Sequence, residues 1–263
     1  MMRTGVIIIG LLLSLFSWGQ VRLTKLVLKP KEIYELSRYD ILVVDTLVMY
    51  DSSKIILNQL KPDNFIHVKK AIFFRGCVIE GKGVHGLPGR QGRPGVSPSN
   101  PCADGGSGNK GTEGTDGGRG TNLSLYLSDI DLKGNLLIDI SGGDAGDGAT
   151  GGLGGGGGPG TRLCPGGNGG AGGAGANGGH GGNSGTVTFI SPSIPELRSL
   201  LGEKLIVRSY GGNLGLGGDG GAGGFSGLSP LGNSKMDGKS GKKGTKGKDG
   251  LPGKPGAINF QDK

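Results

Sequence analysis

The chain has 263 residues, of which 62 are Gly, whereas Gly makes up about 7% of an ordinary soluble protein. Hydrophobic residues are 33% and aromatic residues 5% of the chain, so the composition excludes a large conventional globular core. The formal net charge is +8, and its distribution along the chain is more informative than its sum.

Residues 1–19 are typical of a secretory signal peptide. Arg3 supplies the positive start, residues 6–16 form an apolar run, and Ser17 and Gly19 are the small residues before a cleavage site. The apolar run is shorter than the roughly 20 residues that a spanning helix needs, and no later segment is long enough. We therefore expect a protein that is secreted or displayed at the cell surface, without a stable membrane span.

Residues 20–82 contain apolar stretches with β propensity and are predicted to form the N-terminal β-rich segment of a base. A helix is considered for residues 31–39. A second short helix is predicted for residues 195–201, where Pro195 fits the first turn and Gly202 follows the end.

Glycine recurs at every third position in six runs, each holding between five and seven in-phase glycines. The runs are 83–95, 105–120, 148–160, 166–181, 212–227 and 238–256. Such a period favours a repeated backbone conformation; the alternative is that the glycine runs are disordered, since low-complexity Gly tracts often form flexible linkers.

Two kinds of interruption alternate between the runs. The short ones contain Pro and resemble hairpin tips: 96–104, 161–165 and 228–237. The others alternate apolar and polar residues, as strands do: 123–127, 136–140, 186–190 and 205–208. The predicted organisation within 83–257 is three out-and-back excursions (83–120, 142–185, 211–256) separated by base strands (121–141, 186–210), with a final strand at 258–263.

A polyproline-II helix repeats every three residues and directs its backbone polar groups outward. Gly at one contact edge lets neighbouring helices approach and pair these groups. The sequence therefore predicts a small β base, a sheet or short solenoid, carrying a bundle of six left-handed polyglycine-II/polyproline-II helices, with little α-helix. The first and last runs contain the most bulky side chains and should lie at the edges.

Two of the three cysteines fall in predicted tips. Cys102 lies in the first tip and Cys164 in the second. In an oxidising compartment, we expect a Cys102–Cys164 disulfide, which would leave Cys77 as a free buried thiol in the base.

The first and last runs resemble a known type of repeat. Residues 86–95 (GLPGRQGRPG) and 247–256 (GKDGLPGKPG) resemble collagen Gly-X-Y repeats. The pattern of the whole glycine-rich part is similar to that of proteins with bundled polyglycine-II helices: snow flea antifreeze protein, glycine-rich tail-fibre adhesins of bacteriophages and the amino-terminal domain of Obg GTPases. These proteins have unrelated functions, so the resemblance implies a fold and not an activity.

No catalytic, cofactor or metal site is predicted. Residues 232–240 have one residue too many between their glycines for a phosphate loop, so no nucleotide is expected. His67, His85 and His180 are isolated, and no pair of cysteines has metal-ligand spacing.

The favoured function is a non-enzymatic structural or adhesive protein that presents its tips to an extracellular or cell-surface ligand. The predicted contact residues are exposed apolar residues of the tips: Leu163, Leu228, Pro230, Leu231 and Met236. One alternative is a collagen-like trimeric matrix or surface protein, although a monomer is favoured over a trimer. A second alternative is ice binding through Thr112 and Thr115, which lie three residues apart.

The last run also carries a basic stripe: Lys235, Lys239, Lys242, Lys243, Lys246, Lys248 and Lys254. Such a stripe can attract an anionic polysaccharide, a membrane or a nucleic acid, or it can be a solvated face that maintains solubility. An anionic polysaccharide is one candidate partner.

Overall fold

The computed structural model describes residues 20–36, 38–230 and 234–262. The predicted signal peptide and Leu231 lie outside these residues. Eleven strands and one α-helix are found in the described part of the chain: β1 Gln20–Leu28, β2 Ile33–Glu35, β3 Ile41–Met49, β4 Lys54–Ile56, β5 Asp63–Phe73, β6 Cys77–Glu80, β7 Asn122–Leu132, β8 Leu136–Asp139, β9 Val187–Ser191, α1 Ile194–Leu200, β10 Leu205–Arg208 and β11 Ile258–Asp262. A short 3-10 turn spans Ser234–Met236.

The strands form two parallel sheets that the chain visits alternately. The first sheet has the order β1-β3-β5-β7-β9-β11 and the second has the order β2-β4-β6-β8-β10. The chain therefore winds as a coil in which each turn adds one strand to each sheet. We refer to these two sheets and their shared interior as the β-coil.

The interior of the β-coil is apolar because successive side chains of a strand point to opposite faces. In β3 and β5 the buried positions alternate with partly exposed ones over most of the strand. Phe73 and Phe189 are among the largest fully buried side chains of this core. Helix α1 lies between β9 and β10 and buries Ile194 and Leu197.

The glycine runs lie in three of the connections from the second sheet back to the first. We call the extended stretches glycine segments 1 to 6, and all six together the glycine array: 83–96, 105–121, 142–160, 166–185, 211–228 and 238–256. Segments 1, 3 and 5 follow β6, β8 and β10, whereas segments 2, 4 and 6 precede β7, β9 and β11.

The segments form two layers, each continuing one sheet. In the odd layer, N–H groups of segment 1 donate to segment 3 (Gly89 to Asp147, 2.8 Å), and those of segment 3 donate to segment 5 (Gly148 to Leu216, 2.8 Å). In the even layer, segment 2 donates to segment 4 (Gly117 to His180, 2.9 Å), and segment 4 likewise donates to segment 6. These bonds recur at every third residue.

Further backbone hydrogen bonds cross between the layers. Gly173 of segment 4 donates to the carbonyl of Gly152 in segment 3 (2.9 Å), and its own carbonyl accepts from Gly221 in segment 5 (2.9 Å). Segments 3 and 4 bond to four neighbours each, whereas segments 1 and 6 bond to two. Segments 1 and 6 are therefore the edges of the array.

The predicted fold class is wrong. The regular architecture is two packed parallel sheets of six and five strands with one short helix, not a small base beneath six left-handed polyproline-II helices. The strands of the second sheet have only three or four residues and are far apart in the sequence, so the sequence does not indicate how they pair. The glycine segments have no helix or strand assignment, and they are extended connections of the β-coil.

Two local expectations have opposite outcomes. Among the described residues of 31–39 no helix is found, and β2 occupies Ile33–Glu35 instead. The helix predicted at 195–201 is present as α1, Ile194–Leu200. Collagen-type association is corrected as well, because glycines that a three-chain helix would need already donate within this chain, as Gly86 does to Asp144 (2.7 Å).

Candidate binding surfaces of the glycine array

The end of the array far from the β-coil is held together by a disulfide between two connecting loops. Cys102 and Cys164 are bonded, with their Cα atoms 6.1 Å apart. The N–H of Cys102 also donates to the carbonyl of Pro159 at the end of segment 3 (2.9 Å), and within the second loop the N–H of Thr161 donates to the carbonyl of Cys164 (2.9 Å). The first loop is thus fixed covalently to the second loop and by a backbone hydrogen bond to segment 3.

The predicted contact residues of the loops are not equally accessible. Leu163 is 96% exposed and Leu228 is 66% exposed, and Pro230 is also exposed. Met236 is half-buried rather than exposed, so it presents less apolar surface than predicted. Leu231 lies outside the described residues.

One further exposed apolar side chain, which was not predicted from the sequence, lies one triplet from Leu228: Phe225 is 85% exposed. The carbonyls of Phe225 and Leu228 accept hydrogen bonds from Gly157 (2.9 Å) and Gly160 (3.0 Å), which places these residues beside the end of segment 3. We call Phe225 and Leu228 the apolar patch.

Their common signal is the triplet phase. Phe225 and Leu228 each come directly after an in-phase glycine of segment 5, and the residues in this phase from 213 to 228 are all exposed. The sequence alone does not align segments 3 and 5, so the position of Phe225 beside segment 3 could not be predicted from it.

Gly156, next to the patch, is a glycine of the array with room for a side chain. A Cβ built at Gly156 would lie 3.7 Å from the Ser97 hydroxyl and 3.8 Å from the Phe225 carbonyl, so there is room for one. The Gly156 N–H donates to the Ser97 hydroxyl (2.8 Å). Most glycines of the array differ, since a Cβ there would overlap a neighbouring backbone carbonyl.

The basic stripe lies on segment 6, at one edge of the array. All its lysines are exposed. Lys239, Lys242, Lys248 and Lys254 share one triplet phase, and Lys243 and Lys246 share the next. The N–H groups of Lys239, Lys248 and Lys254 donate to the side-chain oxygens of Asn168 (2.9 Å), Asn177 (2.9 Å) and Asn183 (2.8 Å) of segment 4.

These Asn contacts belong to a wider pattern. An N–H group of the triplet that does not donate to a backbone carbonyl donates instead to a short polar side chain of a neighbouring segment or loop. Asp104 accepts from Asn168 (2.6 Å), and Asp144 accepts from Asn213 (2.7 Å). Thr112 and Thr115 accept from Arg90 and Leu87 (both 2.6 Å). The two threonine hydroxyls considered for ice binding are therefore engaged within the protein.

Cys77 is a buried free thiol in the β-coil core, as expected. Its Sγ donates to the carbonyl of Met49 (3.2 Å), and burial raises the pKa of the thiol. Within the residues that the structure describes, no three potential metal ligands come together. In the same part of the chain, no helix combines the length and hydrophobicity needed to cross a membrane.

No protein-family model, curated protein or solved structure matches this chain. The resemblance to polyglycine-II bundle proteins and to collagen is therefore wrong as an assignment: no relative supports it, and the observed architecture is a pair of parallel sheets. The triplet glycines that carried it serve to pair the connections of the β-coil.

Proposed function

We propose that this chain is a secreted or cell-surface, non-enzymatic structural or adhesive protein, and that its apolar patch contacts an apolar extracellular surface. The observation that carries the proposal is the exposure of Phe225 and Leu228, at 85% and 66%, one triplet apart on segment 5 at the end of the array that holds the disulfide-linked loops. Exposed apolar side chains that lie together, with polar neighbours, are typical of interaction sites.

The backbone beneath the patch is constrained, which favours binding without a large loss of conformational freedom. The N–H groups of Gly224 and Gly227 donate to the carbonyls of Gly170 (2.8 Å) and Gly167 (2.8 Å) in segment 4. Segment 5 thus presents Phe225 and Leu228 at a fixed spacing of at most about 10 Å, since an extended residue spans up to about 3.3–3.6 Å.

Residence outside the cell is supported by the predicted signal peptide and by the Cys102–Cys164 disulfide, because disulfides persist mainly in oxidising compartments. Intact mass of the exported protein should correspond to a chain that starts at Gln20. Retention of an uncleaved chain in the cell would contradict this part of the proposal.

Adsorption to defined monolayers tests the patch. Wild-type protein should be retained on a methyl-terminated monolayer and much less on a hydroxyl-terminated one. The Phe225→Ser/Leu228→Ser variant should bind the methyl surface at least tenfold more weakly, since burial of each side chain is worth about 1.5–3 kcal/mol.

The matched control is Val84→Ser/Leu87→Ser, which removes two similarly exposed apolar side chains (67% and 70%) from segment 1. This control should bind within twofold of wild type, and both variants should keep the wild-type thermal unfolding temperature. Equal losses in the two variants, or no loss in either, would refute a specific role for the patch.

A further inference from the structure

Segment 6 presents a dense set of cations without counter-charges. In the described part of the chain, none of six exposed ammonium groups has an ion-pair partner: Lys239, Lys242, Lys243, Lys246, Lys248 and Lys254. Asp249 is the one carboxylate among them, and its Oδ1 accepts the N–H of Gly217 (2.7 Å). Lys235 has another interaction and is not part of this set.

The lysines cannot move apart along the chain, because the backbone of segment 6 is fixed on two sides. The N–H of Gly241 donates to the carbonyl of Gly224 in segment 5 (2.9 Å), and the carbonyl of Lys242 accepts from Gly172 in segment 4 (2.9 Å). The same pair of bonds recurs triplet by triplet. Two rows of lysines therefore run along one edge. Lysines of one row are one or two triplets apart, and each triplet spans at most about 10 Å.

We propose that this edge binds a linear anionic polysaccharide along its length, with sulfate or carboxylate groups of the polymer facing the two lysine rows. A straight row of ammonium groups raises the local positive potential. A polyanion that neutralises these charges releases many small counterions at once, and this release favours binding. This inference concerns a surface separate from the apolar patch and does not depend on it.

The side chains of the edge favour a polysaccharide over a nucleic acid. Residues 226–257 contain no Arg and no aromatic residue. Single-stranded nucleic acids are usually bound with aromatic side chains that stack on bases, and phosphates are often held by the planar fork of Arg. Lysines alone act as point charges, which suits sulfates or carboxylates spaced along a sugar chain.

The experiment measures binding of heparin, a sulfated polysaccharide, at several NaCl concentrations. Wild-type affinity should fall linearly on a log–log plot against salt. The Lys239→Gln/Lys242→Gln/Lys248→Gln variant removes three ammonium groups of one row, and the magnitude of its slope should decrease by about two, on the estimate of roughly 0.7 per neutralised charge. Its affinity at low salt should fall at least tenfold.

The control is Lys25→Gln/Lys29→Gln/Lys31→Gln, which removes the same charge from exposed positions in and next to β1. It should change heparin affinity less than twofold. Equal effects of the two triple variants would show that net charge alone attracts the polymer and would overturn the proposal. Tighter binding of single-stranded DNA than of heparin at the same salt concentration would overturn it too.

Discussion

The β-coil and the glycine array are two regions with the same winding and different means of holding two layers together. In the β-coil, apolar side chains such as Phe73 and Phe189 fill the space between the sheets, and backbone hydrogen bonds run only within each sheet. In the array, backbone groups bond within each layer and also across it, as Gly143 does to Gly118 (2.9 Å).

The register passes unchanged from one region to the other. Cys77 of β6 pairs with Leu136 of β8, and the same separation of 59 residues joins Asp144 to His85 in the array. Likewise Leu136 pairs with Leu205, and the separation of 69 residues recurs between Asp144 and Asn213. Two layers of one coil can thus be joined either by apolar burial or, where the side chains are removed, by direct backbone pairing.

The largest effect should follow from a cavity in the β-coil. Phe189 is fully buried and stacks on Phe260 at 5.3 Å between ring centroids, so Phe189→Ala should lower the free energy of unfolding by about 3–5 kcal/mol. Because the register is shared, denaturant unfolding should release amide protection in both regions together. Tyr210→Ala, at an exposed position, should change stability by less than about 0.5 kcal/mol. Persistent protection of the array glycines after the β-coil unfolds would separate the two regions.

Loss of the disulfide should rank next and should affect the array more than the β-coil. Replacing both Cys102 and Cys164 by Ser frees a loop with a sequence separation of 62, with an expected cost of about 2–4 kcal/mol. Hydrogen exchange should accelerate first in residues 96–104 and 161–165. If exchange accelerated first in the β-coil strands, the disulfide would not act locally on the array.

A single added methyl group tests the backbone pairing itself. A Cβ at Gly173 would overlap the carbonyl oxygen of Asn109, so Gly173→Ala should cost about 1–3 kcal/mol by overpacking. Gly156→Ala is the control, because a Cβ there meets nothing closer than 3.7 Å. Thermal unfolding of the two variants decides the point: identical melting curves would mean that the glycines are not needed for close approach.

A smaller effect is expected from the polar side chains that accept the remaining backbone N–H groups. Asn177 accepts the N–H of Lys248 at 2.9 Å, so Asn177→Ala should cost about 0.5–1.5 kcal/mol. The exchange rate of the Lys248 amide should rise while that of Gly247, which donates to Gly218, should stay unchanged. Equal acceleration at both amides would indicate a general loosening of segment 6.

The smallest change concerns Cys77, whose thiol pKa is raised by burial. The folded protein therefore keeps the thiol protonated at pH values where an unfolded chain has begun to form thiolate. Stability from this group is complete below the usual thiol pKa and declines as the pH rises through and above it. Native protein should react slowly with a thiol reagent at pH 8, and unfolded protein should react promptly. Rapid labelling of the native protein would contradict the burial of Cys77.

The sequence allowed the glycine runs, their loops and the pairing of Cys102 with Cys164 to be predicted, because Gly phase, Pro-containing interruptions and cysteine positions are local signals. It did not reveal the two sheets. β4 has three residues and β6 has four, and their partners lie at separations that vary with the length of each excursion. Without those separations, the positions of Phe225 beside segment 3 and of Asn177 beside Lys248 could not be derived.

The shared register restricts how the chain can change in length. Most glycines of a segment face a particular carbonyl of a neighbouring segment, so one inserted residue would bring side chains onto the carbonyls along the rest of that segment. We therefore expect insertions and deletions to be tolerated only as whole triplets, with the same number of triplets added to or removed from the outgoing and the returning segment. An excursion should grow or shorten in steps of about six residues, while its loop and the β-coil keep their own lengths.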